Sequence, residues 1–133
     1  MPPMGIKRVS RPTDAELAIL RVLWEHGPCS VRQVHDVLSG KRTFAYTTTL
    51  KFLQIMTEKG LVIREERGSQ HLYRARHSQN LMQRTLIRDL LDRAFGGSMS
   101  SFVLQALAVR RATPDELREI RRLIAAMKEK GDD

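Results

Sequence analysis

Tyr46-Thr47-Thr48-Thr49-Leu50-Lys51-Phe52-Leu53-Gln54-Ile55-Met56-Thr57-Glu58-Lys59-Gly60 runs directly into Leu61-Val62-Ile63-Arg64, and this stretch decides the fold. Thr49, Phe52, Leu53 and Met56 stand at i, i+3, i+4 and i+7, the spacing of one buried helical stripe. The same phase puts Thr47, Thr48, Lys51 and Gln54 on the other side, and Gly60 supplies a C-terminal stop. A helix over Tyr46 to Lys59 follows. Leu61 to Arg64 then reads as a short strand, Arg67-Gly68-Ser69 as a turn and His71-Leu72-Tyr73-Arg74 as the returning strand.

On the N-terminal side, Thr13-Asp14-Ala15-Glu16 fits a capping box, in which the Thr13 hydroxyl and the Glu16 carboxylate each accept a backbone N–H. Leu17, Leu20 and Leu23/Trp24 recur at helical spacing until Gly27-Pro28 stops the helix. Ser30 caps a second, short helix with Val31, Val34 and Leu38 on one stripe, ended by Ser39-Gly40. Lys41-Arg42-Thr43 is a basic connection to the third helix. Three helices followed by one hairpin is the order of a winged helix, with Arg67 at the wing tip flanked by Arg64 and Arg74.

On the C-terminal side the periodicity changes at Ser78. Leu81, Thr85/Leu86, Asp89/Leu90 and Phe95 run on a longer helix that Gly96-Gly97 ends, and Met99, Phe102, Val103, Ala106 and Leu107 follow at helical spacing. Thr113-Pro114-Asp115-Glu116 is a helix start with a cap, a first-turn Pro and acids against the macrodipole. Leu117, Ile120, Leu123/Ile124 and Met127 form the apolar stripe that follows. Three helices of this size cannot enclose a core alone, so their apolar faces are expected to pack against a second copy of the chain. The interface residues are expected to be Leu91, Phe95, Met99, Phe102, Val103, Leu107, Leu117, Ile120 and Ile124. The expected fold is mainly α with a small β-hairpin wing: a winged helix-turn-helix over residues 1–76 and a C-terminal helical dimerisation region over 77–133.

Composition bounds the function. The 133 residues hold 23 Lys and Arg against 15 Asp and Glu, a formal net charge of +8. Residues 1–76 carry 13 basic and 7 acidic side chains, so the charge is concentrated in the winged-helix part. A polyanionic partner follows, either nucleic acid or an anionic membrane surface. No apolar run approaches the roughly 20 residues that span a bilayer, and the basic start up to Arg11 has no apolar run behind it. Membrane insertion is not expected and the expected location is the cytoplasm. A single cysteine, Cys29, excludes an intramolecular disulfide.

These motifs together resemble the penicillinase repressors, the BlaI/MecI family, over nearly the whole chain. The resemblance is carried by Pro12-Thr13-Asp14-Ala15-Glu16-Leu17 with Leu23-Trp24, and by Tyr46-Thr47-Thr48-Thr49 with Glu58-Lys59-Gly60-Leu61. His71-Leu72-Tyr73 and Leu91-Asp92-Arg93-Ala94-Phe95-Gly96-Gly97-Ser98 complete it. It implies a homodimer with an interlocked helical region that represses genes from an operator until a membrane sensor protease causes its cleavage. It also implies a DNA-reading helix that begins near Ala45-Tyr46, with Thr47, Thr48 and Lys51 facing bases or phosphates. Leu50 and Ile55 stand where the family often has basic residues. Gln105-Ala106 stands where relatives cleaved under β-lactam stress have Asn-Phe, and the cysteine pairs of copper-responsive relatives have no counterpart.

The side chains fit that chemistry. Short hydroxyls at a helix start let the backbone approach base edges, Thr methyls meet thymine methyls, and Gln54 can bond adenine. Lys41, Arg42, Lys51 and Arg67 supply cations for phosphates, and Tyr46 stands at the groove edge or in the core. His26 and Cys29 form H-x-x-C, which lacks the further ligands that zinc requires, and the expected metal and cofactor set is none. No catalytic constellation is present: capping explains Asp14 with Glu16, and alternate strand faces explain Glu65 with Glu66. The chain reads as a palindrome-binding repressor rather than an enzyme. The alternatives are a winged-helix regulator answering another signal, or a winged-helix protein-interaction module.

Overall fold

The structure, a computed structural model, describes residues 11–40 and 44–131. Its elements in chain order are α1 (Asp14–His26), α2 (Val31–Ser39), α3 (Tyr46–Lys59), β1 (Val62–Arg67), β2 (Gln70–Ala75), α4 (Gln79–Ala94), α5 (Met99–Val109) and α6 (Pro114–Lys130). The described residues are mainly helical with one hairpin, the winged-helix order followed by three further helices.

Local chemistry sets the helix starts. The Thr13 hydroxyl accepts the Glu16 N–H at 3.2 Å while the Glu16 carboxylate accepts the Thr13 N–H at 2.9 Å, closing the capping box of α1. Ser30 and Gln33 repeat this device at α2, as Thr113 and Glu116 do at α6. Ser98 caps α5 by accepting the Ser101 N–H at 3.1 Å.

The hairpin is antiparallel, from Val62 opposite Ala75 at its base to Arg67 opposite Gln70 at its tip. The two-residue turn needs a positive φ at its first position, which Gly68 supplies at +61°. Both strands run longer than the apolar pattern indicates, because pairing continues through Glu65 and Glu66, which carry no periodic signal. A second pairing holds the hairpin base. The Cys29 N–H donates to the Tyr73 carbonyl at 2.9 Å and the Tyr73 N–H donates to the Cys29 carbonyl at 2.7 Å. Cys29 therefore does more than fill a helix–helix turn: it ties the α1–α2 connection to β2.

The chain divides into two compact units between Arg88 and Asp89. In the first, Ile19, Leu20, Leu23, Val34, Leu38, Leu53, Met56, Leu61, Val62, Tyr73 and Met82 form the core. α1 buries Ile19 and Val22 besides Leu20 and Leu23, while Leu17 and Trp24 are half-buried. On α4 the residue buried in this core is Met82, which the spacing did not mark, and Leu81 is exposed in the single chain. Entry into α4 explains this. The Trp24 indole N–H donates to the His77 carbonyl at 2.9 Å and the Ser78 hydroxyl accepts the Leu81 N–H at 3.1 Å, so the first turn is fixed by these bonds.

In the second unit Phe95 and Phe102 meet edge to face with centroids 5.3 Å apart. Gly96 and Gly97, both at positive φ, make the turn into α5. Neither α5 nor α6 buries a residue within the single chain.

Candidate nucleic-acid interface

α3 is divided into two faces. Thr49, Leu53 and Met56 are completely buried, whereas Thr47, Thr48, Lys51, Gln54 and Ile55 are exposed. Leu50 and Phe52 lie between, packed against the edge of the core, and Phe52 meets Phe44 edge to face at 5.6 Å. Thr47, Thr48, Lys51, Phe52 and Ile55 line a depression of about 250 Å³, which brings two hydroxyls and an ammonium beside the apolar Phe52 and Ile55.

Both ends of α3 are anchored. At its start Ala45 offers no side-chain cap, but its carbonyl accepts the Thr48 N–H at 3.0 Å and the Thr49 N–H at 3.2 Å. Thr49 Oγ1 lies 3.2 Å from His35 Nδ1, which satisfies the hydroxyl of a threonine buried at the α2–α3 contact. The His35 ring meets Tyr46 edge to face at 5.7 Å, and the Arg32 guanidinium lies 4.6 Å over the Tyr46 ring. At the other end Lys59 Nζ lies 2.7 Å from Glu16 Oε1, an ion pair between the last turn of α3 and the first turn of α1. Burial pushes the Glu16 carboxyl up, but the hydrogen bonds from Lys59 and the Thr13 N–H, with the Lys59 charge, outweigh it and leave the group below its ordinary 4.5.

On the wing, Arg67 is exposed beside the turn. Arg74 Nε stands 3.4 Å from Glu65 Oε1, and His71 stands 3.8 Å from Glu66. Among the described residues Arg64 and Arg67 have no ion pair, so the wing keeps a cation at its tip, Arg67, and another along β1 despite its two glutamates. Lys41 and Arg42 lie outside the described residues. Arg32, His35 and Lys59 had no mark in the sequence as parts of this site. Arg32 and His35 become neighbours of α3 only where α2 packs on it, and Lys59 meets Glu16 across 43 residues.

In the second unit Leu91, Phe95, Phe102 and Leu117 are half-buried, while Met99, Val103, Leu107, Ile120 and Ile124 are exposed. Gln105 and Ala106 are exposed on α5. Among the described residues no three His, Cys, Asp or Glu side chains stand close enough to hold a metal. No described helix is long and apolar enough to cross a membrane.

The sequence profile of the penicillinase repressor family matches residues 12–126. The transcriptional regulator BlaI of Mycobacterium tuberculosis is 32% identical over 121 residues, covering 90% of this chain and 87% of that protein. The penicillinase repressor of Bacillus licheniformis is 23% identical over 119 residues, covering 90% and 93%. Among solved structures, the monomeric form of B. licheniformis BlaI in complex with the blaP half-operator superposes with a TM-score of 0.50 at 24% identity, over 56% of this chain and 92% of that one. A MarR family protein from Bacillus stearothermophilus superposes with a TM-score of 0.52 at 16% identity, over 93% and 78%. These likenesses show the fold, and the profile match together with the mycobacterial relative shows the lineage: the chain belongs to the penicillinase repressor family.

Proposed function

We propose that the chain is a transcriptional repressor that binds near-palindromic operator DNA as a homodimer, with α3 in the major groove and the β1–β2 tip against the flanking backbone. The observation that carries this reading is the polar face of α3, with Thr47, Thr48, Lys51 and Gln54 exposed opposite the completely buried Thr49, Leu53 and Met56. Family membership supports it, since the B. licheniformis relative was solved on a half-operator. The test is salt-dependent binding to a duplex that the wild-type chain selects from random-sequence DNA. Lys51→Ala lowers affinity for that duplex by about 1–3 kcal/mol, as loss of a base contact does. Arg67→Ala weakens all sequences alike and flattens the salt slope by about one unit. Wild-type behaviour of both variants would remove α3 and the wing from the interface.

The second copy is the partner that the second unit lacks, because Val103, Leu107, Ile120 and Ile124 are exposed in the single chain. Two-fold symmetry then places half-sites about one helical turn apart, or a small multiple of it. Release follows from cleavage within α5 at or near Gln105-Ala106, triggered by a membrane sensor protease. Such a cut separates the two heads and removes an effective-concentration advantage of about 10²–10⁴ in affinity. Derepression under cell-wall antibiotics with the protein still full length on a blot would rule this release route out.

A further inference from the structure

We propose that Arg32 and Tyr46 form a preassembled backbone clamp, in which the Arg32 guanidinium contacts a DNA phosphate beside the start of α3 and Tyr46 holds it there. The proposal rests on the reading of α3 as the groove-entering helix and adds a contact on α2.

Four residues form a ladder from core to surface. Thr49 is completely buried, with its hydroxyl 3.2 Å from His35 Nδ1. The His35 ring stands edge-on to Tyr46 at 5.7 Å and 76°. Arg32 lies 4.6 Å over the Tyr46 ring. Arg32 is exposed, and among the described residues no carboxylate pairs with it, although Asp36 follows one turn later on α2. Its charge therefore lies against the ring and is not neutralised by a carboxylate. Among the described residues no hydrogen bond or ion pair uses its N–H donors, which leaves the planar fork for a bidentate acceptor such as a phosphate.

Placement decides the acceptor. Tyr46 is the first residue of α3 and adjoins Thr47 and Thr48, so the stacked cation stands at the end of α3 that approaches the groove. Phosphates flank the groove at that position in a helix-turn-helix complex. A free arginine loses rotamer freedom on binding, whereas one already held on a ring loses less. Arg32 thereby positions the head without reading sequence, and Tyr46 is a positioning residue that acts through it.

The experiment compares salt-dependent binding of the full chain to its selected duplex and to an unrelated one. Arg32→Ala is expected to flatten the salt slope by about one unit on both duplexes, so that the affinity ratio between about 50 and about 200 mM salt shrinks by roughly 3.5-fold. Arg32→Gln gives the same result with the side-chain stem retained. Tyr46→Phe keeps the ring and behaves as wild type. Tyr46→Ala behaves as Arg32→Ala, and the double variant is no weaker than either single one, since both remove one contact. A wild-type salt slope in Arg32→Ala, with Lys51→Ala still impaired, overturns the clamp and leaves the reading of α3 intact. Failure of the wild-type chain to select any duplex overturns both.

Discussion

Glu16 shows how a single side chain acquires two duties. Its Oε1 accepts the Thr13 N–H at 2.9 Å and the Lys59 ammonium at 2.7 Å, while the residue as a whole is only 3% exposed. The Thr13-x-x-Glu16 spacing revealed the first duty, because capping is local. The second depends on how the end of α3 returns to α1, which no local pattern records. Its folded pKa lies below the ordinary 4.5, so the carboxylate contributes stability that is fully present above that value. That contribution is lost as the pH falls through the lower, folded value. Glu16→Gln keeps the cap but removes the charge opposite Lys59. The expected cost at neutral pH is about 1–2 kcal/mol in urea unfolding, discounted because Lys59 is partly solvated. The stability of the variant should also fall less steeply than that of wild type on acidification below pH 4.5. Parallel acid profiles for the two proteins would show that the pair contributes nothing in the folded state.

At the scale of elements, α3 was legible from end to end, because one stripe of period 3.6 and a terminal glycine specify it without help from the rest of the chain. Its bounds in the structure are those of the spacing, Tyr46 to Lys59. The wing was legible in position but not in length. β1 extends to Arg67 and β2 begins at Gln70, since backbone pairing near a tight turn tolerates charged side chains on both faces. On α4 the spacing marked the Leu81 stripe but not Met82, whose burial depends on the hydrogen bonds that fix the first turn of the helix. The two-faced character of α3 makes a paired prediction. Leu53→Ala empties a completely buried site and should cost about 2–5 kcal/mol, whereas Gln54→Ala, next in sequence and exposed, should stay within about 0.5 kcal/mol. Denaturant midpoints at constant slope measure both. Similar losses from the two variants would mean that the faces are assigned wrongly.

For the whole molecule, the apolar excess of the C-terminal helices was readable in the sequence, since three short amphipathic helices cannot surround their own stripes. Phe102 has a partner within its own chain, Phe95 at 5.3 Å, so its substitution would disturb the protomer as well as any interface. Leu107 is the cleaner probe because it is exposed on α5. Leu107→Asp should convert a dimer into a 15.3 kDa species in sedimentation with its helix content retained. A dimer unaffected by this change would take α5 out of the interface. Binding by the head itself is tested most directly by comparing the selected duplex with an unrelated one for wild type and Lys51→Glu. Wild type is expected to prefer the selected duplex by about 10³-fold or more. Lys51→Glu is expected to lose that preference at an unchanged melting temperature. A Lys51→Glu variant that still discriminates as wild type does would contradict the assignment of α3 as the DNA-reading helix.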